Sequence, residues 1–138
     1  MNREEIKKIL PHREPMLLVD EAVMENGLCR GSYAVKGDEF FLQGHFPGNP
    51  VVPGVILCEM MAQSACLLAG FDAGDVTPYF TGLNNVKFRR KVVPGDRVEF
   101  TTEMVKQKGP FFFLKGEGRV KGELAVSGEF SFAAVKQS

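Results

Sequence analysis

Several residue types that support common protein functions are scarce in this sequence. It has no tryptophan, two histidines and three cysteines in 138 residues. Two histidines and scattered acids provide no cluster of zinc-ligating side chains, so we expect no metal site. The cysteines are odd in number, and no pair has the close spacing of a zinc knuckle. We therefore interpret Cys29, Cys58 and Cys66 as reduced packing residues of a cytoplasmic protein.

An excess of charge of one sign is also absent, because 17 basic residues balance 17 acidic ones. Contact with a charged partner must then come from a local patch. The run KFRRK, residues 87–91, is the main candidate. A strand would place Lys87, Arg89 and Lys91 on one face, either as a solvated edge or as a docking surface for an acidic partner. One short cluster in a neutral chain argues against nucleic acid binding.

Long apolar runs are missing as well. The stretch 51–71 approaches the length of a membrane span, but Pro53, Glu59 and Gln63 interrupt it, and a central acid is costly in lipid. A buried helix in a protein without a membrane span is the better interpretation. The N-terminus, MNREEIKKIL, is charged from its first turn and lacks the apolar core of a signal peptide.

The length fits one domain over residues 1–138. In the first half, the pattern predicts a short amphipathic helix and then a hairpin with a turn at Asn26–Gly27. Three prolines make the loop that follows irregular, and a helix free of proline comes next. The predicted bounds are helix 2–9 ended by Pro11, an extended run Met16–Asp20, a strand Leu28–Val35, a loop Gly37–Pro53 and a helix from Val55 to about Gly70.

The second half alternates polar and apolar residues in a way that predicts strands beyond Tyr79. Turn signals recur at roughly hairpin spacing, at Pro94–Asp96, Gly109–Pro110 and Lys121–Gly122. The sheet is therefore predicted to be antiparallel and strongly bent. Together with one long apolar helix, this gives an α+β fold in which the sheet wraps the helix.

The stretch FFLQGHFPGNPVVPGVILCEMMAQSAC, residues 40–66, holds the candidate chemistry. Around His45, glycines permit unusual backbone angles and prolines restrict the loop, and a neutral imidazole there can accept a proton. Burial among apolar residues is expected to raise the pKa of Glu59, so that it can serve as a general acid. The alternatives remain open from these residues alone, since Glu59 could be a structural acid and His45 an incidental loop residue.

Three further residues accompany this pair. Gly54 begins the helix, where free amides could polarise a substrate carbonyl, although it could also merely permit the turn. Gln63 lies four residues after Glu59 on the same helical stripe and is a candidate to support it. His12 lies in the proline-bounded loop PHREP, where it could support the site or pack against it, and we favour the structural role.

Three segments together resemble a known family. LPHREPMLLVD, GHFPGNPVVPGVILCEMMAQ and NNVKFRRKVVPGD are similar to the beta-hydroxyacyl-[acyl-carrier-protein] dehydratases of bacterial fatty acid synthesis, from about residue 9 to the last strand. The resemblance implies the hotdog fold, no cofactor, and His45 and Glu59 as catalytic residues contributed by different subunits of a homodimer. It also implies assembly as a trimer of dimers, Gly54 as the carbonyl site, and docking of acyl carrier protein near Lys87, Arg89 and Arg90.

Alternatives to this dehydratase function stay open at the level of sequence. An acyl thioesterase on the same fold could use Glu59 to activate water. A non-catalytic acyl-binding protein would not need the base that His45 provides. A related group that also isomerises the trans-2 double bond to cis-3 usually carries aspartate in place of Glu59, so glutamate favours dehydration alone.

Overall fold

Six antiparallel strands form the sheet of this protein. The computed structural model describes residues 1–136. The strands run in the spatial order β1-β2-β4-β5-β6-β3. Their bounds are β1 Glu21–Glu25, β2 Leu28–Ala34, β3 Val76–Phe88, β4 Arg97–Lys108, β5 Phe111–Val120 and β6 Glu123–Lys136. The predicted turn at Asn26–Gly27 joins β1 to β2, and both residues have the positive φ angles, 52° and 77°, that such a two-residue hairpin requires.

The central helix, α2, spans Gly54–Cys66, and the sheet wraps around it as predicted. Pro53 is its N-cap. After α2, the backbone tightens into a 3-10 turn at Leu67–Ala69. The helical segment ends at Gly70, whose φ of 72° makes it the left-handed C-cap that the sequence indicated. Nearly every residue from Leu57 onward is buried. The inward faces of the strands contribute large buried side chains, including Phe100, Leu114, Phe130 and Phe132.

The N-terminal helix is shorter than predicted. The helix α1 spans only Arg3–Ile6, opened by a capping box between Asn2 and Glu5. Residues 7–9 continue as turns, in which Lys8 N–H donates to Glu5 O at 3.1 Å and Ile9 N–H to Ile6 O at 2.9 Å, three residues back in each case. This tighter winding buries Leu10 completely beside Ile6. Apolar burial therefore replaces the second helical turn that the sequence pattern suggested.

The segment before β1 is extended but does not belong to the sheet. Leu17, Leu18 and Val19 are buried, yet the first strand begins only at Glu21. The Leu18 amide donates to the side chain of Gln63 on α2 at 2.8 Å instead of to a neighbouring strand. The predicted extended run is thus anchored to the helix.

The strand β3 lies at one edge of the sheet and carries exposed apolar residues. Phe80 and Leu83 pair with the buried residues Phe132 and Phe130, so all four point to the side of the sheet that holds α2. Phe80 nevertheless keeps 43% of its surface exposed and Leu83 keeps 47%. Within residues 1–136, no helix is long and apolar enough to cross a membrane.

The three cysteines are free and buried, in agreement with their predicted packing role. Burial raises the pKa of the Cys29 thiol to about 11 and also raises that of Cys58. Thiols held in this way remain protonated near neutral pH and are poor nucleophiles.

Candidate active site

Glu59 lies in the middle of α2 with one carboxylate oxygen held by neighbouring side chains. Gln63 Nε2 donates to Glu59 Oε2 at 2.9 Å, one helical turn along, as the predicted stripe requires. His12 Nε2 lies 3.5 Å from the same oxygen. The Glu59 side chain keeps 22% of its surface exposed, so it can be reached from outside the chain.

Gln63 connects the acid to the N-terminal segment. Its Nε2 also donates to Met16 O at 2.7 Å, and its Oε1 accepts from the Leu18 amide at 2.8 Å. The side chain is 1% exposed. Both N–H hydrogens and one oxygen lone pair of the amide are engaged by these three contacts, which fixes the orientation of its oxygen and nitrogen. Gln63 therefore links Glu59 on α2 to residues 16–18.

His12 lies near Glu59, a position that its spacing along the chain could not reveal. It reaches Glu59 from a loop that is far away in sequence. Burial lowers the pKa of His12, because desolvation of the imidazolium outweighs the attraction of the Glu59 carboxylate. A neutral imidazole beside the acid is the result. The one signal in the sequence was the loop PHREP itself, bounded by two prolines.

His45 lies in a loop that backbone hydrogen bonds make rigid. Phe46 and Asn49 exchange two bonds of 3.0 and 2.8 Å, and the Val51 amide donates to His45 O at 2.9 Å. The imidazole is stacked on Phe46 with ring centroids 4.1 Å apart. These contacts agree with the prediction that the loop fixes the direction of the ring.

The tautomer of His45 follows from its one side-chain hydrogen bond. Its Nδ1 lies 2.8 Å from Val51 O. A carbonyl oxygen only accepts hydrogen bonds, so Nδ1 must carry the hydrogen. In the neutral ring, the lone pair is then on Nε2. In the neutral ring, the atom of His45 that can accept a proton is therefore Nε2.

His45 and Glu59 do not meet within one chain. Among residues 1–136, no hydrogen bond or ion pair joins them. The small cavity beside Glu59 is lined by His12, Ala62, Gln63, Cys66, Pro78 and Phe80. The exposed Phe80 places this cavity beside β3, at the free edge of the sheet.

Gly54 opens α2 beneath an aromatic ring. Within the described residues, its amide and that of Val55 have no hydrogen-bond partner, as expected for the first positions of a helix. A Cβ atom at Gly54 would lie 2.8 Å from Cζ of Phe88. Glycine is therefore needed for the close approach of this ring, in addition to any role in binding a carbonyl.

The basic run departs from its predicted geometry. The strand β3 ends at Phe88, so Lys87 belongs to the strand while Arg89 and Lys91 lie beyond it, and the alternation of faces does not extend that far. Arg90 is held by Glu123 at 3.1 Å and by Asp96 at 3.5 Å. Lys87 and Arg89 are exposed and form no ion pair within the part of the chain that the structure describes.

A metal site would require a cluster of metal-binding side chains. Among residues 1–136, no three His, Cys, Asp or Glu side chains come together in a way that could hold a metal ion.

Residues 10–129 match the family model described as a FabA-like domain. The chain belongs to the FabA-like family. It is 41% identical over 139 residues to 3-hydroxyacyl-[acyl-carrier-protein] dehydratase FabZ of Clostridium beijerinckii, covering 96% of this chain and 98% of that one. It is 45% identical over 133 residues to the dehydratase of the same name from Anaeromyxobacter dehalogenans, covering 91% and 85%. The resemblance drawn from the three motifs is confirmed.

Solved structures agree on the fold of this FabA-like protein. The dehydratase heterocomplex ApeI:P from Xenorhabdus doucetiae has a TM-score of 0.83 at 21% identity, covering 96% of this chain and 91% of that one. The thioesterase HI1161 from Haemophilus influenzae has a TM-score of 0.63 at 13% identity, covering 86% and 78%. The hotdog fold is confirmed, but identities this low carry no argument about activity.

Proposed function

We propose that this FabA-like protein catalyses the reversible dehydration of (3R)-3-hydroxyacyl-[acyl-carrier-protein] to the trans-2-enoyl form in fatty acid biosynthesis. The relatives that share 41% and 45% of its sequence carry the name of this activity. The observation that carries the proposal is a partly exposed carboxyl group, Glu59, oriented by Gln63 at an open edge of the fold. A general acid requires such a group, held in place yet reachable by substrate.

The first half of the reaction removes a proton from carbon 2. In this proposal, Nε2 of His45 takes that proton, since Nδ1 already donates to Val51 O. The electron pair moves toward the thioester carbonyl, whose oxygen gains negative charge. Free amides at the start of α2, from Gly54 and Val55, are suited to stabilise that oxygen.

The second half expels the hydroxyl group from carbon 3. Glu59 in its neutral form gives its proton to the hydroxyl, the carbon–oxygen bond breaks, and water leaves. The carbonyl re-forms as the double bond between carbons 2 and 3 is made. His45 then holds one proton and Glu59 has lost one, so solvent exchange restores the resting state without any cofactor.

A second copy of the chain would bring the two residues together. His45 and Glu59 share no contact within one chain, and the Glu59 cavity lies beside the free edge strand β3. Phe80 and Leu83 expose apolar surface on this strand. A free strand edge with apolar neighbours is suited to pairing with another chain. We propose a homodimer through this edge, with each site built from both subunits, and further assembly into a hexamer.

The enoyl thioester provides a direct test of the activity. We expect absorbance of the conjugated product to change in opposite directions from 3-hydroxyacyl and from enoyl carrier substrates and to reach one common equilibrium. His45→Ala should abolish both signals while circular dichroism shows an unchanged fold. Release of free thiol with no enoyl product, in folded wild-type protein, would contradict dehydration and indicate a thioesterase.

Gly54→Ala is expected to lower kcat/KM by on the order of 10-fold, because the new Cβ pushes against Phe88 and disturbs the carbonyl site. The informative comparison is the double variant Gly54→Ala/Phe88→Ala, in which the methyl group has room. If the Gly54 amide binds the carbonyl, the double variant should lose less kcat/KM relative to Phe88→Ala than Gly54→Ala loses relative to wild type. A single Gly54→Ala variant with wild-type kinetics would contradict the assignment of Gly54 to the carbonyl site.

Acyl carrier protein is proposed to dock at the exposed cations Lys87 and Arg89, with Arg90 beside them. Reversal of the first two, Lys87→Glu/Arg89→Glu, should raise KM for carrier-bound substrate by on the order of 10-fold at low salt and leave a small acyl thioester unaffected. Lys108→Glu/Lys136→Glu is the matched control, since both lysines are exposed at the end of the sheet opposite to the end where β3 reaches Phe88. Equal effects of the two double variants would show that only net charge matters.

A further inference from the structure

The two oxygens of the Glu59 carboxyl group have different surroundings. Oε2 lies 2.9 Å from Gln63 Nε2 and 3.5 Å from His12 Nε2. Oε1 has no hydrogen-bond partner within residues 1–136, and it is not among the buried polar atoms that lack one. One oxygen thus faces protein groups, and the other is left for whatever enters the site.

Gln63 can only donate to Glu59. Its Oε1 accepts from the Leu18 amide, which identifies the opposite atom as the NH₂ group. That group also donates to Met16 O. Because the direction of the amide is fixed from both sides, Oε2 of Glu59 always receives a hydrogen from Gln63.

His12 is also restricted to donating. Its Nδ1 is buried and has no hydrogen-bond partner. A hydrogen on Nδ1 would be a buried donor without an acceptor, which is costly. The neutral ring therefore carries its hydrogen on Nε2, the atom that points at Glu59 Oε2. The lowered pKa of His12 agrees, because the charged ring would carry hydrogens on both nitrogens.

We infer that His12 is a positioning residue which, together with Gln63, keeps the transferable proton of Glu59 on Oε1. The inference rests on the proposed function, in which Glu59 is the general acid. An oxygen that faces two donors has no acceptor for a proton of its own, so the neutral carboxyl group holds its proton on the other oxygen. That oxygen is the one left open to the hydroxyl group of a substrate.

His12 Nε2 and Glu59 Oε2 form one pair of titratable groups, 3.5 Å apart. The other titratable groups near the pair are Cys58 and Cys66 on α2, Arg13 beside His12 and, in the proposed dimer, His45 of a second copy. Both cysteine thiols have raised pKa values and stay neutral through the working range.

The test compares variants that keep or remove the donor. His12→Leu and His12→Phe remove it, while His12→Gln places an NH₂ group near the position of the imidazole Nε2. For Leu or Phe, we expect kcat to fall about 10-fold with little change in KM, because His12 does not touch the substrate. The glutamine variant should restore kcat most of the way to wild type.

The inference is overturned if the variants with and without a donor have the same kcat, or if loss of the donor leaves kcat at the wild-type value. Two variants without a donor guard against a folding failure of either one. Glu59→Gln measured in the same assay separates the two levels of the argument. An active Glu59→Gln would remove the proposed function itself, whereas an inactive one beside an unchanged His12→Leu would remove only the role of His12.

Discussion

Replacement of Glu59 by glutamine should lower turnover by on the order of 10²-fold or more. The substitution keeps the shape of the side chain and an oxygen that Gln63 can still reach, but it removes the proton that the departing hydroxyl group needs. The measurement is the initial rate of enoyl thioester formation at saturating substrate. KM should change much less than kcat, because the loss falls on the transition state.

A matched substitution controls for the change of charge. Glu25→Gln alters an exposed residue of β1 whose carboxylate lies 3.5 Å from Arg30 at the surface, and it should leave turnover within about twofold of wild type. If Glu59→Gln were as active as Glu25→Gln, Glu59 could not be the acid. Loss of activity with a wild-type melting temperature would exclude unfolding as the cause.

Two inactive variants are expected to recover activity when their subunits are mixed. In a dimer of one His45→Ala chain and one Glu59→Gln chain, one site receives both defects and the other receives none. Random exchange places half of the chains in such mixed dimers, so about a quarter of the wild-type rate should return. Each variant alone should stay below about 1% of that rate.

Mixing needs a step that lets subunits exchange, so the two chains are best expressed together with different affinity tags and isolated by both. If every dimer purified in this way is mixed, the preparation should reach about half of the wild-type rate, whereas hexamers that combine dimers at random should keep about a quarter. Co-expression of two differently tagged His45→Ala chains is the control. No recovery in folded mixed dimers would show that each chain builds its own site, against the separation of His45 and Glu59 in the structure.

Local sequence signals predicted the elements whose conformation depends on residues within a few positions of each other. Asn26–Gly27 gave the hairpin because both residues tolerate positive φ. Pro53 and Gly70 marked the two ends of the central helix and its last turn. The restricted loop around His45 was also visible, because proline fixes φ and glycine permits the positive φ angles found at Gly44 and Gly48.

Contacts between distant segments could not be found in this way. His12 seemed structural because nothing in its own loop indicates that it faces Glu59, and only the packing of residues 16–18 against α2 brings it there. The basic run was assigned to one strand face, but β3 ends at Phe88 and Arg90 turns to Glu123 and Asp96. Such outcomes depend on which elements are neighbours, and a periodic pattern contains no information about neighbours.

The hydrogen bond from the Leu18 amide to Gln63 makes the backbone a reporter of the site. That amide is buried and bonded at 2.8 Å, so its exchange with deuterium requires residues 16–18 to separate from the helix. The same local opening would release Gln63 from Met16 and leave Glu59 without a fixed orientation. The exchange rate of the Leu18 amide therefore measures how often Glu59 loses its fixed orientation in a folded molecule.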